Sequence, residues 1–175
     1  IPQSVHRVAE NVVRRIARRF PKRYEPRDEL GNVTRINTIT SLDMSEGSWL
    51  ILSQAGYQLQ PVASELKSNG YLFTYRGSRS ISEKMSEAVN GWEQLRKGRE
   101  VTGEVARKIY SFMSVGNRLM RGFKKLPALE DTDLVTLATL IADHGLLATK
   151  DMIWSEAMDK LPDTDRAYVT ALLRR

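Results

Sequence analysis

Trp49 to Leu52 is an unbroken apolar run, and after a stretch of helical spacing it is followed by a second β-prone run, Tyr71 to Tyr75. A strand that is apolar at every position is covered on both faces, as in the middle of a parallel sheet. Parallel neighbours need a crossover, and Leu59 to Ser68 supplies a helix between them, closed by Asn69-Gly70, a favourable left-handed cap pair. Residues 47–77, GSWLILSQAGYQLQPVASELKSNGYLFTYRG, therefore read as strand, helix, strand. Val33 to Thr40 (VTRINTIT), β-branched and alternating, reads as a further strand with Val33 and Ile36 or Ile39 partly buried.

Upstream, Val5, Val8, Ala9, Val12, Val13, Ile16, Ala17 and Phe20 repeat at helical spacing behind Pro2 and Ser4, and Pro21 and Pro26 end that helix. Downstream of Gly77 the pattern becomes helical throughout. Ser80 or Ser82 caps a helix with Met85, Val89, Trp92 and Leu95 on one face, stopped by Gly98. Thr102 starts a second. Gly116 to Pro127 reads as a basic loop. Asp131 or Thr132 opens a third helix, ended by His144-Gly145; Ile153, Trp154, Ala157 and Leu161 form a fourth, and Asp163 caps the last. The expected fold is α/β: a parallel sheet of about three strands in residues 1–75, then an all-helical domain of about five helices in residues 76–175.

A strand–helix–strand unit normally brings a site with it, yet the turn after Leu52 is Ser53-Gln54-Ala55-Gly56, with no glycine cradle. No GxxxxGK[ST] loop occurs; Gly98-Arg99 and Gly122-Phe123 have neither its spacing nor its Lys-Ser/Thr pair. His6 and His144 have no HExxH-type partner. Asp28-Glu29 lies in a turn, not at the end of an apolar strand, and Asp131/Asp133 and Asp163/Asp165 sit where helices open, so capping accounts for them. Trp49, Trp92 and Trp154 each fall on an apolar stripe and read as core. Catalytic residues: none; metal site: none. The chain alone does not read as an enzyme.

Charge is where the sequence becomes specific. Residues 1–35 hold nine Lys/Arg against four acids and residues 76–125 twelve against five, whereas residues 36–75 and 126–175 are net acidic. Basic blocks of this kind fit a polyanion. Two clusters carry the candidate nucleic-acid contacts: Arg76, Arg79, Arg96, Lys97 and Arg99, and, within a glycine-bearing loop, Arg118, Arg121, Lys124 and Lys125. The alternative is that these side chains only solvate helix faces. There is no apolar run long enough for a membrane span and no cysteine, which suits a cytoplasmic protein without a membrane partner. Ile1-Pro2-Gln3-Ser4 lacks an initiator Met, so the chain reads as a segment of a longer one.

IPQSVHRVAENVVRRIARR resembles the continuation of a motif of UvrD/Rep/PcrA-type superfamily 1 DNA helicases, in which Tyr-Arg precedes such an Ile-Pro. GSWLILSQAGYQLQPVASELKSNGYLFTYRGSRSIS is similar to their next motif: a strand, a helix ending L…NG, an aromatic strand, and a Gly leading into an inserted helical domain. The resemblance implies that residues 1–75 are part of the second RecA-like motor domain (2A) and residues 76–175 the inserted accessory domain (2B). It implies a fragment of an ATP-dependent, 3′-to-5′ helicase whose partners are single-stranded or junction DNA and the remainder of the helicase chain. ATP and Mg²⁺ would belong to the complete protein, with no cofactor held in this chain. Gln54 stands where those helicases often have Arg, and Arg121-Gly122-Phe123-Lys124 matches their duplex-binding Gly-hydrophobic-Gly turn only in part. A free-standing nucleic-acid-binding or protein-interaction module is the competing expectation.

Overall fold

Helix α1 (Gln3–Val13) starts directly after Pro2, whose φ of −61° suits a helix entry. Its first amides are satisfied from outside: Gln3 N–H donates to the Glu29 carbonyl and Ser4 N–H to that of Leu30, both at 2.9 Å. The sequence stripe runs on to Phe20, but the helix stops at Arg14. Arg14, Arg15, Arg18 and Arg19 crowd positive charge onto the next turn, with only Arg14 paired, to Glu10 at 3.0 Å. An amphipathic helix is held mainly by what packs on its apolar face. Val12 is 57% exposed and Phe20 89%.

The computed structural model describes all 175 residues, which form two compact units, Ile1–Ile51 and Leu52–Arg175. In the first, no residue is buried. The strands expected at Val33 to Thr40 and Trp49 to Leu52 are not formed: the former is irregular with a 3₁₀ turn at Ile39–Ser41, the latter has no ladder partner. A strand exists only through the neighbour that takes its N–H and C=O groups, and no other segment offers that edge. Leu50 and Leu52 are 81% exposed. The expected parallel sheet is thus absent, and the sheets that do form are two antiparallel pairs.

The second unit begins with α2 (Leu59–Ser68), matching its sequence boundaries, and turns at Gly70 with φ 67°. The run Tyr71 to Tyr75 contributes only β1 (Thr74–Tyr75), paired with β2 (Ser78–Arg79). Arg76 and Gly77 between them have φ 50° and 80°, the two positive values that a tight, right-twisting hairpin turn demands. Then come α3 (Glu83–Arg96), β3 (Val101–Thr102), α4 (Gly103–Ser111), β4 (Leu134–Val135), α5 (Leu137–Asp143), α6 (Trp154–Ala157) and α7 (Asp163–Leu173). Ser82, Thr102 and Thr136 cap α3, α4 and α5, accepting from Met85, Val105 and Thr139 N–H. The helix expected to open at Asp131 or Thr132 starts later. Asp133 instead accepts the Glu130 amide at 2.8 Å, closing a turn, and Val135 pairs with Val101.

The composition break near Arg76 is not where the compact units divide. Residues 52–75 stay with the helical part because α7 grips them. The Tyr168 hydroxyl donates to the Tyr71 carbonyl at 2.8 Å, and Arg175 donates to that of Asn69 at 3.0 Å with its guanidinium 3.6 Å over the Tyr71 ring. The core lies among α3, α4, α6 and the loops around them, with Trp92, Ile109, Tyr110, Met113, Leu119 and Leu140 fully buried. No helix is long and apolar enough to cross a membrane.

Tyr110 gives the fold a pH dependence. Its phenol donates to the His144 carbonyl at 3.1 Å, at the end of α5, and burial pushes its pKa well above the ordinary value of 10.0. A pKa raised on folding means stability that is complete below the unfolded value and is lost as pH rises beyond it. Unfolding by urea should therefore become easier above about pH 10, and Tyr110→Phe should flatten that alkaline decline. At neutral pH the same variant is expected to cost about 1–3 kcal/mol, because the His144 carbonyl loses its donor.

Candidate nucleic-acid interface

Much of the positive charge counted along residues 76–125 is spent inside the fold. Arg96 forms a bidentate pair with Glu93 and donates through Nε to the Lys150 carbonyl at 2.9 Å, tying α3 to the segment before α6. Arg107 clamps the Asp131 carboxylate and the Leu129 carbonyl. Lys108 lies between Glu104, at 2.7 Å, and Glu87. The hydrogen bond that Lys108 donates to Glu104, then that to Glu87, raises its pKa, and Lys108 in turn lowers that of Glu104. Arg118 donates Nε to the Glu156 carbonyl at 3.1 Å. Arg96 and Arg118, two of the candidate contacts, therefore have structural employment.

The remaining candidates divide by place. Arg76 occupies the hairpin turn and stacks on Tyr75, 5.4 Å from its ring centre. Arg79 lines a groove of about 440 Å³ between the hairpin and α3, shared with Phe73, Ile81, Glu83 and Glu87. Two carboxylates in that lining make it a poor seat for phosphate. Lys97 and Arg99 flank Gly98 at the C-terminus of α3, where Gly98 and Arg99 N–H close on the Leu95 and Gln94 carbonyls at 3.0 Å. Cations there also complement the helix dipole.

Arg121, Lys124 and Lys125 are different. All three are exposed and none has a carboxylate within ion-pair distance. Their loop is pinned at both ends by Leu119 and Leu126, each fully buried, and has open space beside Gly116 and Gly122. A pinned loop of this kind presents its charge outward at little further ordering cost. The structure also brings in two lysines that the sequence reading passed over, Lys84 and Lys160. The Lys160 side chain first, then burial and Lys84, hold the Lys124 ammonium below the ordinary lysine range. Sequence spacing gives no sign of this grouping, since the three come from α3, the loop, and the segment before α7.

Along α3, Lys84 and Lys97 are thirteen residues apart, or roughly 20 Å at the helical rise. Arg79 lies with Glu83 at the start of α3, and Arg96, Lys97 and Arg99 at its end, so the first cluster read from the sequence is divided between the two ends of the helix.

The Ser53–Gly56 turn bonds to itself, with Ser53 Oγ donating to the Ala55 carbonyl at 2.8 Å and Ala55 N–H to Gln58 Oε1 at 3.1 Å. No three His, Asp or Glu side chains gather as metal ligands would. Comparison with family models, with curated proteins and with solved structures finds no match to this chain.

Proposed function

We propose that this chain is part of an ATP-driven DNA helicase of the UvrD/Rep/PcrA type. In that reading its helical body meets DNA phosphates, and residues 1–75 belong to a RecA-like motor lobe completed by further chain. The observation that carries the DNA contact is the pinned loop 116–127, whose Arg121, Lys124 and Lys125 project without carboxylate partners. The motor assignment rests on the sequence likeness and on the exposure of Leu50 and Leu52, apolar residues of a kind that a complete sheet covers on both faces. The protein would act in the cytoplasm, moving 3′ to 5′ on single strands, with ATP and Mg²⁺ held by residues other than these 175.

Binding of fluorescent DNA of arbitrary sequence tests the contact. The expected affinity is weak and sequence-independent, with Kd on the order of 10⁻⁴ to 10⁻⁶ M at physiological salt. Binding that ignores salt, or none at all, contradicts it. Titration of an ATP analogue into this chain should give no saturable heat, because phosphate binding of the P-loop kind needs a backbone cradle, a lysine and metal-bound acids. Low-micromolar saturation would overturn that expectation. The self-contained core of Leu52–Arg175 favours one other reading, a free-standing nucleic-acid-binding module. A phosphate loop and acidic box encoded ahead of Ile1 supports the helicase; a start codon there supports the module.

A further inference from the structure

Leu119 bridges antiparallel to Leu146, and both side chains are buried. Successive side chains of extended backbone point to opposite faces. Met120 and Leu147 therefore face outward, 50% and 43% exposed. Met120 N–H donates to the Gly145 carbonyl at 2.8 Å and Leu147 N–H to that of Arg118 at 2.9 Å, which fixes both positions. Phe123 joins them on this face. A Cβ on Gly145 would come within 2.6 Å of Phe123 Cγ and Cδ2 and 3.1 Å of Met120 Cβ, so the ring rests on bare glycine backbone beside Met120. Leu126 N–H donates to the Phe123 carbonyl at 2.9 Å, holding its main chain, while the side chain stays half-buried. Tyr71, Tyr75, Phe112 and Tyr168 each have a Lys or Arg of the chain over the ring; Phe123 has none, although Arg121 and Lys124 flank it. The result is a small open apolar patch on the loop whose cations make no ion pair.

We propose that Phe123, with Met120 and Leu147 beside it, is a stacking platform for a base of single-stranded nucleic acid whose neighbouring phosphates meet Arg121, Lys124 and Lys125. This deepens the DNA contact proposed above and rests on it. The combination of surfaces selects the occupant. An exposed apolar patch marks a place of contact, and the cations beside it call for a partner that is apolar and anionic within one short span. A single strand meets both demands, since every unstacked base has a π-face and every nucleotide a phosphate. A duplex offers the phosphates but keeps its base faces stacked inside, so it would engage the cations and leave Phe123 unused. A ring already seated on Gly145 is ordered before the base arrives, so little side-chain freedom is lost on binding.

The test compares binding of the whole chain to fluorescent oligothymidine and to an abasic strand of the same length and charge. The wild type should bind oligothymidine tighter by roughly tenfold per stacked base. Phe123→Leu, which stays apolar against Gly145, should bring the two affinities together and leave the salt slope on both strands as in wild type. Phe123→Tyr should keep the preference. A second measurement needs no variant: with ¹³C in the phenylalanine rings, oligothymidine should shift the Phe123 signals saturably and the abasic strand should not, while Phe73 stays put. Equal, salt-dependent binding of both strands by the wild type overturns the platform and leaves the phosphate contact standing. Absence of salt-dependent binding to either strand removes both. A preference for bases that survives in Phe123→Leu, with the Phe123 signals unmoved, places stacking elsewhere and overturns the assignment. Binding to anionic lipid vesicles that Phe123→Leu weakens, with no preference for bases, gives the patch to a membrane surface and equally overturns it.

Discussion

Trp92→Ala should lower the unfolding free energy by about 3–5 kcal/mol from lost packing alone. The indole is fully buried in α3, where it faces the shared core of α4 and α6, and its Nε1–H donates to the Met152 carbonyl at 2.9 Å. Truncation leaves a void in a core whose other members, Ile109 and Ala157 among them, are fully buried and closely packed. It also orphans a carbonyl, at a further cost of about 1–3 kcal/mol. Together these approach the whole stability of an ordinary domain, which is 5–15 kcal/mol as a rough guide. Urea unfolding followed by far-ultraviolet circular dichroism gives the measure. Trp92→Phe, which keeps most of the volume and loses only the donor, should fall between the two. A Trp92→Ala midpoint close to wild type would mean that the core does not centre on this residue.

Gly103→Ala is the second large effect, with a different origin. Gly103 is buried at the start of α4, and an added Cβ would overlap the Glu130 carbonyl oxygen, with the carbonyl carbon only 3.0 Å away. The obstruction is backbone, so no side-chain rotation relieves it. Gly103 N–H donates to the Asp133 carbonyl at 2.8 Å and Glu104 N–H to that of Asp131 at 3.1 Å, so the turn must be pushed off α4 while those bonds hold it on. Overpacking of this kind costs typically about 1–3 kcal/mol, and more where the backbone cannot shift. At about 2–4 °C per kcal/mol for a chain of this length, the melting temperature should fall by several degrees. Gly98→Ala is the contrasting control: nothing lies within 4 Å of its Cβ position, and only its φ of 74° resists substitution. A Gly103→Ala protein as stable as wild type would show that β3 and α4 do not sit against the 129–133 turn as described.

The positions of α3 and α4 were legible because their causes are local. Ser82, Thr102 and Gly98 act on amides and carbonyls within a few residues, so spacing alone finds them. Trp49–Leu52 and Val33–Thr40 misled for the opposite reason: apolar and β-branched character says that a segment could pair, while pairing needs a second edge from elsewhere. Trp49, read as core, is 51% exposed for the same reason, whereas Trp92 and Trp154 are buried. The hairpin was hidden behind Tyr71 to Tyr75, its signal being the Arg76-Gly77 turn. The β3–β4 pairing joins Val101 to Val135, a separation no periodicity reports. For the candidate interface, a run such as Arg121 to Lys125 is visible as letters. That Arg96 and Arg118 donate to Lys150 and Glu156 carbonyls depends on the fold.

The proposed contact of the 116–127 loop with DNA phosphates is tested by the salt dependence of DNA binding with and without the loop's charges. For roughly three neutralised phosphates the log–log slope should be about −2.7 on duplex and about −2.1 on single strands, so the wild-type value also reports the form preferred. Replacing Arg121, Lys124 and Lys125 together by Ala should bring the slope close to flat and weaken binding at low salt, with helicity unchanged. A triple variant that keeps the wild-type slope would contradict the claim.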